Sequence, residues 1–153
     1  MRRKRKIGSV FLMLLVSGLV FAQNSRFVGV SEGDVQNWVK NFAEVHKEFI
    51  KLGLDSGLDL AQIPNISPDE KDKLELVLNK YGIFGTDCLE RFAIITHCAI
   101  ILASDNEMDE ESKANMKAMG VDPIAELKSE INSKDYAVIV ANKSAIIQVI
   151  NGN

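Results

Sequence analysis

The sequence predicts an all-α fold in which five or six helices pack as an irregular bundle around one buried helix. Apolar residues recur at three- and four-residue steps over several long segments, as on the buried face of an amphipathic helix. The segment from Thr86 to Ala103 is instead apolar on every side, so other helices must surround it. Its apolar run is far shorter than the roughly 20 residues that cross a bilayer. We therefore interpret this segment as the central helix of the core.

The first 22 residues have the organisation of a secretory signal peptide. A basic start from Arg2 to Lys6 precedes an apolar segment from Ile7 to Phe21, and Ala22 follows it. This order is typical of a leader that is cleaved after a small residue, so we predict cleavage after Ala22 and a single helical domain at 23–153. The alternative is an uncleaved membrane anchor, which the glycines and serines in this short apolar segment disfavour. We expect an exported protein, periplasmic or extracellular, without stable membrane insertion of the mature chain.

Removal of the leader changes the charge of the chain. All 21 acidic residues follow Ala22, together with 13 of the 18 basic ones, which leaves a net charge of about −8. Nucleic acids and anionic lipid surfaces attract basic patches, so we expect neither as a partner. The remaining 131 residues are enough for one domain with a single core.

The first helix of the domain is predicted from Ser31 to about Leu52. Ser31 with Asp34 three residues later is a variant of the capping box, in which each side chain accepts from a free amide of the first turn. Gly53 supplies the C-terminal cap. The residues from there to Ile66 are predicted to form a loop, and long loops often contact ligands.

The second helix is predicted to begin at Ser67, where Pro68 and Glu70 complete a strong start signal. It ends at Gly82. Residues 83–85 then form a short apolar link to the central helix, and links of this length place consecutive helices side by side and antiparallel.

Two further helices and one ambiguous segment follow the central helix. An acidic stretch, 104–111, leads into a helix that ends at Gly120, and Asp122 with Pro123 begins the next one. The last segment, 133–150, fits a helix, but its two apolar halves could instead pair as a hairpin. We favour the helix, because an isolated two-stranded hairpin is marginally stable.

The sequence offers few residues for catalysis. His46 and His97 are its two histidines, the residue type that general bases and metal sites most often use. His97 lies between Ile94 and Ile101, which predicts a core histidine, and His46 is expected at the edge of the core. No phosphate loop, nucleophile elbow or paired-carboxylate motif is present. We therefore predict no enzyme activity and no cofactor, whereas an envelope hydrolase would need His97 or a carboxylate at a cleft.

The acidic and sulfur-containing residues also give weak metal signals. Two segments have the alternating spacing of the first half of a calcium loop: Asp105, Glu107 and Asp109, and Asp55, Gly57 and Asp59. Met116 and Ile66 occupy the positions where such loops carry a bidentate glutamate, so no calcium site is predicted. Met108, Met116 and Met119 have near-helical spacing, which favours core filling over a soft-metal site.

Cys88 and Cys98 are the two cysteines of the chain. Export to an oxidising compartment favours a disulfide, but ten residues of one helix separate the α-carbons by about 15 Å, and a disulfide needs about 4.4 to 6.8 Å. We predict no bridge between them. Cys98 is expected to be a buried thiol. Cys88 is at the helix start, where the helix dipole and any exposure to solvent favour a reactive thiol, so it is expected to be alkylated faster than Cys98 and to be the thiol that could cross-link two chains.

These features favour an exported, non-catalytic helical module that binds an unknown protein partner. The second hypothesis is a carrier of a small apolar molecule or lipid, since a bundle rich in Ile, Leu and Phe can enclose a cavity between its helices. The sequence itself names neither the partner nor the ligand.

Overall fold

A computed structural model describes residues 27–54 and 60–152, and within these ranges the chain is all-helical. It has seven α-helices there: α1 Glu32–Lys51, α2 Pro68–Lys80, α3 Cys88–Glu107, α4 Glu110–Ala118, α5 Pro123–Glu130, α6 Ser133–Ala141 and α7 Lys143–Ile150. A short 3-10 helix, Ile63–Asn65, precedes α2. The all-α prediction is confirmed for this part of the chain, whereas the predicted leader and its cleavage site lie outside the described residues.

The predicted caps set the starts of α1 and α2. Ser31 and Asp34 form a capping box, in which the Ser31 amide donates to the Asp34 carboxylate over 2.8 Å and the Asp34 amide donates to the Ser31 hydroxyl over 3.1 Å. Ser67 and Glu70 form the same box at α2, with Pro68 at the first helical position. Each box satisfies amides that a helix start leaves without intrahelical partners.

The central helix is α3, which packs against α1, α2, α5 and α7. Its buried residues are Cys88, Leu89, Phe92, Ala93, Ile94, Ile95, Thr96, Cys98, Ala99, Leu102 and Ala103. Its bounds differ from the predicted Thr86 to Ala103. It begins later, because Asp87 has a left-handed φ of 59°, and it continues to Glu107 before Asp109 caps α4 by accepting from the Ser112 amide over 2.7 Å.

The end of the chain corrects the predicted number of helices from five or six to seven within the described ranges. Residues 133–150 form two helices, neither one long helix nor a hairpin. Asn142 divides them, since its side-chain amide donates to the Val138 carbonyl over 3.0 Å and its own carbonyl accepts from the Ile146 amide. An asparagine side chain that bonds to nearby backbone in this way competes with helix propagation.

An aromatic cluster lies where α1 meets α3. Trp38 stacks on Phe42 with ring centroids 4.5 Å apart, and Phe49 lies 6.2 Å from Phe92. The buried Trp38 indole donates to the Thr96 hydroxyl over 2.9 Å, so its one polar group has a partner in the core. In the described part of the chain, no helix is both long and apolar enough to span a membrane.

Candidate functional site

The turn between α2 and α3, residues 82–87, presents an aromatic side chain to solvent. Phe84 is 63% exposed, while the preceding Ile83 is buried in the core. Gly82, Gly85 and Asp87 have φ angles of 79°, 92° and 59°. Glycine adopts such angles freely, whereas a non-glycine residue with positive φ is uncommon. Phe84 therefore lies between two glycines with positive φ, with its side chain exposed.

Arg91 of α3 holds this turn in place. Its Nη2 donates to the carbonyl of Phe84 over 2.7 Å, and its Nη1 donates to the carbonyl of Thr86. Its Nε donates to Oδ1 of Asp34 over 3.3 Å, and the arginine side chain is 13% exposed. The planar guanidinium directs its donors in a fixed fork, so one side chain fixes two carbonyls of the turn and joins them to α1.

The polar face of α1 holds the start of the same turn. Asn37 donates its side-chain amide to the Gly82 carbonyl over 3.3 Å, and Asn41 does the same to the Tyr81 carbonyl over 3.2 Å. The turn is therefore tied to both α1 and α3 by side-chain hydrogen bonds. We call residues 82–87 the braced turn.

A single exposed hydrophobic residue is normal on a protein surface, and Leu76 and Met119 are also exposed, at 68% and 73%. Phe84 differs from Leu76 in its backbone, because Leu76 lies within the regular helix α2. Asp87 is the non-glycine residue with positive φ in this turn, and residues held in such conformations are concentrated at functional sites. An aromatic residue on a preorganised support is also the typical anchor of a protein interface.

The base of the braced turn contains two ion pairs. Asp34, Asp87 and Glu90 contribute carboxylates, and Lys71 and Arg91 contribute the cations. Lys71 lies 2.9 Å from Glu90, and the hydrogen bond to this carboxylate raises the pKa of Lys71. Arg91 likewise pairs with Asp34 over 3.3 Å, so both cations have a carboxylate partner here.

A second surface feature lies at the opposite end of α3. It is an open groove of about 250 Å³ lined by Asp105, Lys113, Met116, Lys117, Val121, Asp122, Pro123 and Ile124. We call it the α4–α5 groove. One wall is α4, a helix in which no residue is fully buried. Lys113 bonds to Asp105 across 3.7 Å, and Asp122 caps α5 through the Ala125 amide.

His97, which the sequence analysis considered as a catalytic residue, lies on α3 where this helix packs against α5. His97 Nε2 lies 3.3 Å from Glu130 Oε2, and the His97 side chain is 32% exposed. The prediction of a core histidine is therefore wrong, because α5 covers His97 incompletely. Glu130 is its hydrogen-bond partner among the described residues, and a nucleophilic site needs a hydroxyl or thiol within reach of the base. His46 stacks on Phe42 at 5.5 Å at the edge of the core.

The cysteines correct one further expectation. Cys88 is 2% exposed, not open to solvent, because α2 packs against this end of α3. Burial raises the pKa of its thiol, which lowers the fraction of the reactive thiolate. Cys98 is fully buried, and burial raises its pKa to about 12. Both are free thiols on one continuous helix, and the order of their alkylation stays a prediction.

The acidic residues and methionines considered as metal ligands do not form a metal-binding cluster in the described part of the chain. No group of three or more His, Cys, Asp or Glu side chains there is placed to hold a metal ion. Asp109 caps α4 and Asp105 pairs with Lys113, while the segment with Asp55, Gly57 and Asp59 lies outside the described residues. Met116 is half-buried at the groove and Met119 is 73% exposed, so the prediction that the methionines fill the core is wrong for Met119.

No protein-family model matches this chain, and no curated protein or solved structure does either. Over its described residues the chain is all-α, with the braced turn at one end of its central helix. Sequence reasoning treated 83–85 as an apolar link. A phenylalanine between closely spaced glycines is a local signal of this turn in the sequence. No local signal indicates that Arg91 pairs with Asp34, which lies 57 residues earlier.

Proposed function

We propose that this protein is an exported, non-catalytic helical module that binds a protein partner through the braced turn, with Phe84 as its anchor. The observation that supports this most is the bonding of Arg91 to the carbonyls of Phe84 and Thr86 beneath a 63% exposed ring. A side chain presented on a fixed backbone loses little entropy on binding, and aromatic residues dominate the binding energy of interfaces.

Export is supported by the sequence of the leader and by the charge that follows it. A basic start, an apolar segment and Ala22 form the order that a signal peptidase reads. N-terminal sequencing of the exported protein tests this part of the proposal. The expected first residue is Gln23, and an N-terminus that retains the apolar segment would show an uncleaved anchor.

The other two hypotheses have less support. Carriers of small apolar molecules have pockets of roughly 300 to 1,000 Å³, and two grooves on the described residues are open and measure about 250 and 210 Å³. An enzyme that used His97 would need a nucleophile beside it, and its hydrogen bond among the described residues goes to Glu130.

Site-specific photo-crosslinking in the native host tests the proposed partner surface. A photoreactive phenylalanine analogue replaces Phe84 in one variant and Leu76 in the control, an exposed leucine of similar accessibility on a regular helix. We expect one discrete crosslinked species from position 84 and none of that mass from position 76. Absence of any species from position 84, or the same species from both positions, would overturn the proposal.

A further inference from the structure

We propose that α4 is a hinged helix that opens while the rest of the fold stays closed. None of its nine residues, Glu110–Ala118, is fully buried. No apolar side chain of α4 belongs to the hydrophobic core of the described chain or packs against it. The extensive helix–helix contacts of the described chain are made by the other six helices. This inference concerns a different part of the molecule from the braced turn and does not depend on the proposed function.

The neighbouring helix α5 shows which contacts α4 lacks. It has eight residues, one fewer than α4, but its Leu127 is fully buried and its Ile124 packs against the core. Isolated helices shorter than roughly 12 to 15 residues are marginally stable in water, and most helices in proteins depend on tertiary packing. Because α5 has this packing and α4 does not, α4 depends on local contacts.

Contacts at its two ends hold α4 in the helical conformation. At its start, Asp109 caps the helix, and Lys113 lies 3.7 Å from Asp105 of α3. At its end, the Val121 amide donates to the Met116 carbonyl over 3.0 Å, as in a Schellman motif. A partly exposed ion pair contributes little stability, so the ion pair with α3 is a weak tie between α4 and the rest of the fold.

The backbone leaves the helical conformation on both sides of α4. Met108, between α3 and α4, is extended with φ −77° and ψ 132°, and Gly120, after α4, has a φ of 79°. Residues at the ends of helices absorb the backbone rotation of a hinge. Because α4 forms one wall of the α4–α5 groove, its opening would widen the groove and expose the half-buried Val121 and Ile124 that line it.

Native-state hydrogen exchange of the protein as its host processes it, measured over a range of low urea concentrations, tests this inference. We expect the hydrogen-bonded amides of α4 to be protected at least about a hundredfold less than those of α5. Exchange in α4 should also be nearly independent of urea, because a local opening exposes little surface, whereas exchange in α3 should accelerate with urea. Equal protection of α4 and α5, or the same urea dependence in α4 and α3, overturns the inference.

Limited digestion with trypsin provides a second measurement. Trypsin cleaves after lysine, and both Lys117 of α4 and Lys128 of α5 are exposed. A protease cleaves an open segment and not a closed helix, so we expect cleavage after Lys117 before cleavage after Lys128. Cleavage after Lys128 first would show that α4 is the more stable of the two helices and would overturn the inference.

Removal of a helix cap distinguishes opening of α4 from opening of the whole fold. Asp109→Ala removes the cap of α4 and should accelerate exchange in α4 about fivefold. Ser67→Ala is the matched control, because it removes the cap of α2, and it should leave exchange in α4 unchanged. Circular dichroism establishes that both variants are folded. The same acceleration of α4 exchange in both variants would show that α4 opens only together with the rest of the fold.

Discussion

The carboxylate of Asp135 accepts a hydrogen bond of 2.7 Å from the backbone amide of Val30, which lies 105 residues earlier in the chain. Its second oxygen accepts from the amide of Val28 over 3.0 Å. Asp135 is fully buried, so its carboxylate has lost its hydrogen bonds to water. The two amides replace those hydrogen bonds. These two hydrogen bonds tie residues 28–30 to α6.

Replacement of Asp135 by asparagine should therefore destabilise the protein. Asparagine keeps one acceptor oxygen but places an NH₂ group against one of the two backbone amides, leaving buried donors without an acceptor. We expect a loss of about 2 to 3 kcal/mol in the free energy of unfolding, measured by urea denaturation. Asp69→Asn is the control, because its side chain lies in the first turn of α2 and is 80% exposed, and should change stability by less than about 0.5 kcal/mol. Equal losses in both variants would contradict this role for Asp135.

The sequence predicts helices well where the information is local. Ser31 with Asp34 and Ser67 with Glu70 are capping boxes within four residues, and both form as expected. The predicted start and end of α3 are less accurate. The start is missed because no periodic pattern in the sequence indicates that Asp87 is left-handed. The break at Asn142 depends on a side chain that bonds to its own helix, which an apolar period does not reveal.

The candidate site depends on contacts between distant residues. Arg91 reaches Asp34 across 57 residues, and Asp135 reaches Val30 across 105. A sequence pattern reports which face of a helix is apolar, but it does not state which polar groups of two elements will meet. The exposure of Phe84 and the burial of Cys88 follow from that packing and could not be derived before it.

The buried thiol of Cys98 should make the protein less stable at alkaline pH. Burial raises its pKa from an ordinary value near 9.0 to about 12, so above pH 9 the unfolded thiol loses its proton while the folded thiol keeps it. The stabilisation is fully present below about pH 9 and is lost as the pH rises to about 12, at up to about 1.4 kcal/mol per pH unit.

Urea denaturation of wild type and Cys98→Ala at a series of pH values measures this effect. The alanine variant starts from lower stability because of its cavity. The comparison therefore concerns how steeply the free energy of unfolding falls with rising pH, and this slope should be shallower in the variant than in the wild type. The raised pKa of Cys88, which does not depend on Cys98, is present in both proteins and cancels in the difference, whereas that of Tyr136 depends partly on the Cys98 charge. Parallel slopes would show that Cys98 contributes no pH dependence.

Replacement by alanine should change the free energy of unfolding in opposite directions at two glycines. Gly33 lies in the first turn of α1 without a left-handed φ, and a Cβ there would meet the Ser31 hydroxyl at an ordinary 3.6 Å. Gly33→Ala should therefore stabilise the protein by about 0.5 kcal/mol. Gly85 has a φ of 92° in the braced turn, and Gly85→Ala should destabilise by about 1 kcal/mol or more. Thermal unfolding of the two variants gives the signs, and a neutral Gly85→Ala would show that the turn is readily rearranged.

Arg91→Lys and Phe84→Ala should separate the support of the braced turn from its anchor. Lysine has no planar fork and cannot bond to Asp34 and two carbonyls together, so Arg91→Lys should cost about 1 to 3 kcal/mol of stability and speed amide exchange around residues 84–87. Phe84→Ala should change the free energy of unfolding by less than about 0.5 kcal/mol, because the side chain is mostly exposed.

Both variants should weaken partner binding, Arg91→Lys through loss of preorganisation and Phe84→Ala through loss of the anchor. Hydrogen exchange and binding measured on the same samples distinguish the two causes. Full binding by Arg91→Lys together with rapid exchange in the turn would show that the brace supports the fold and not the interface.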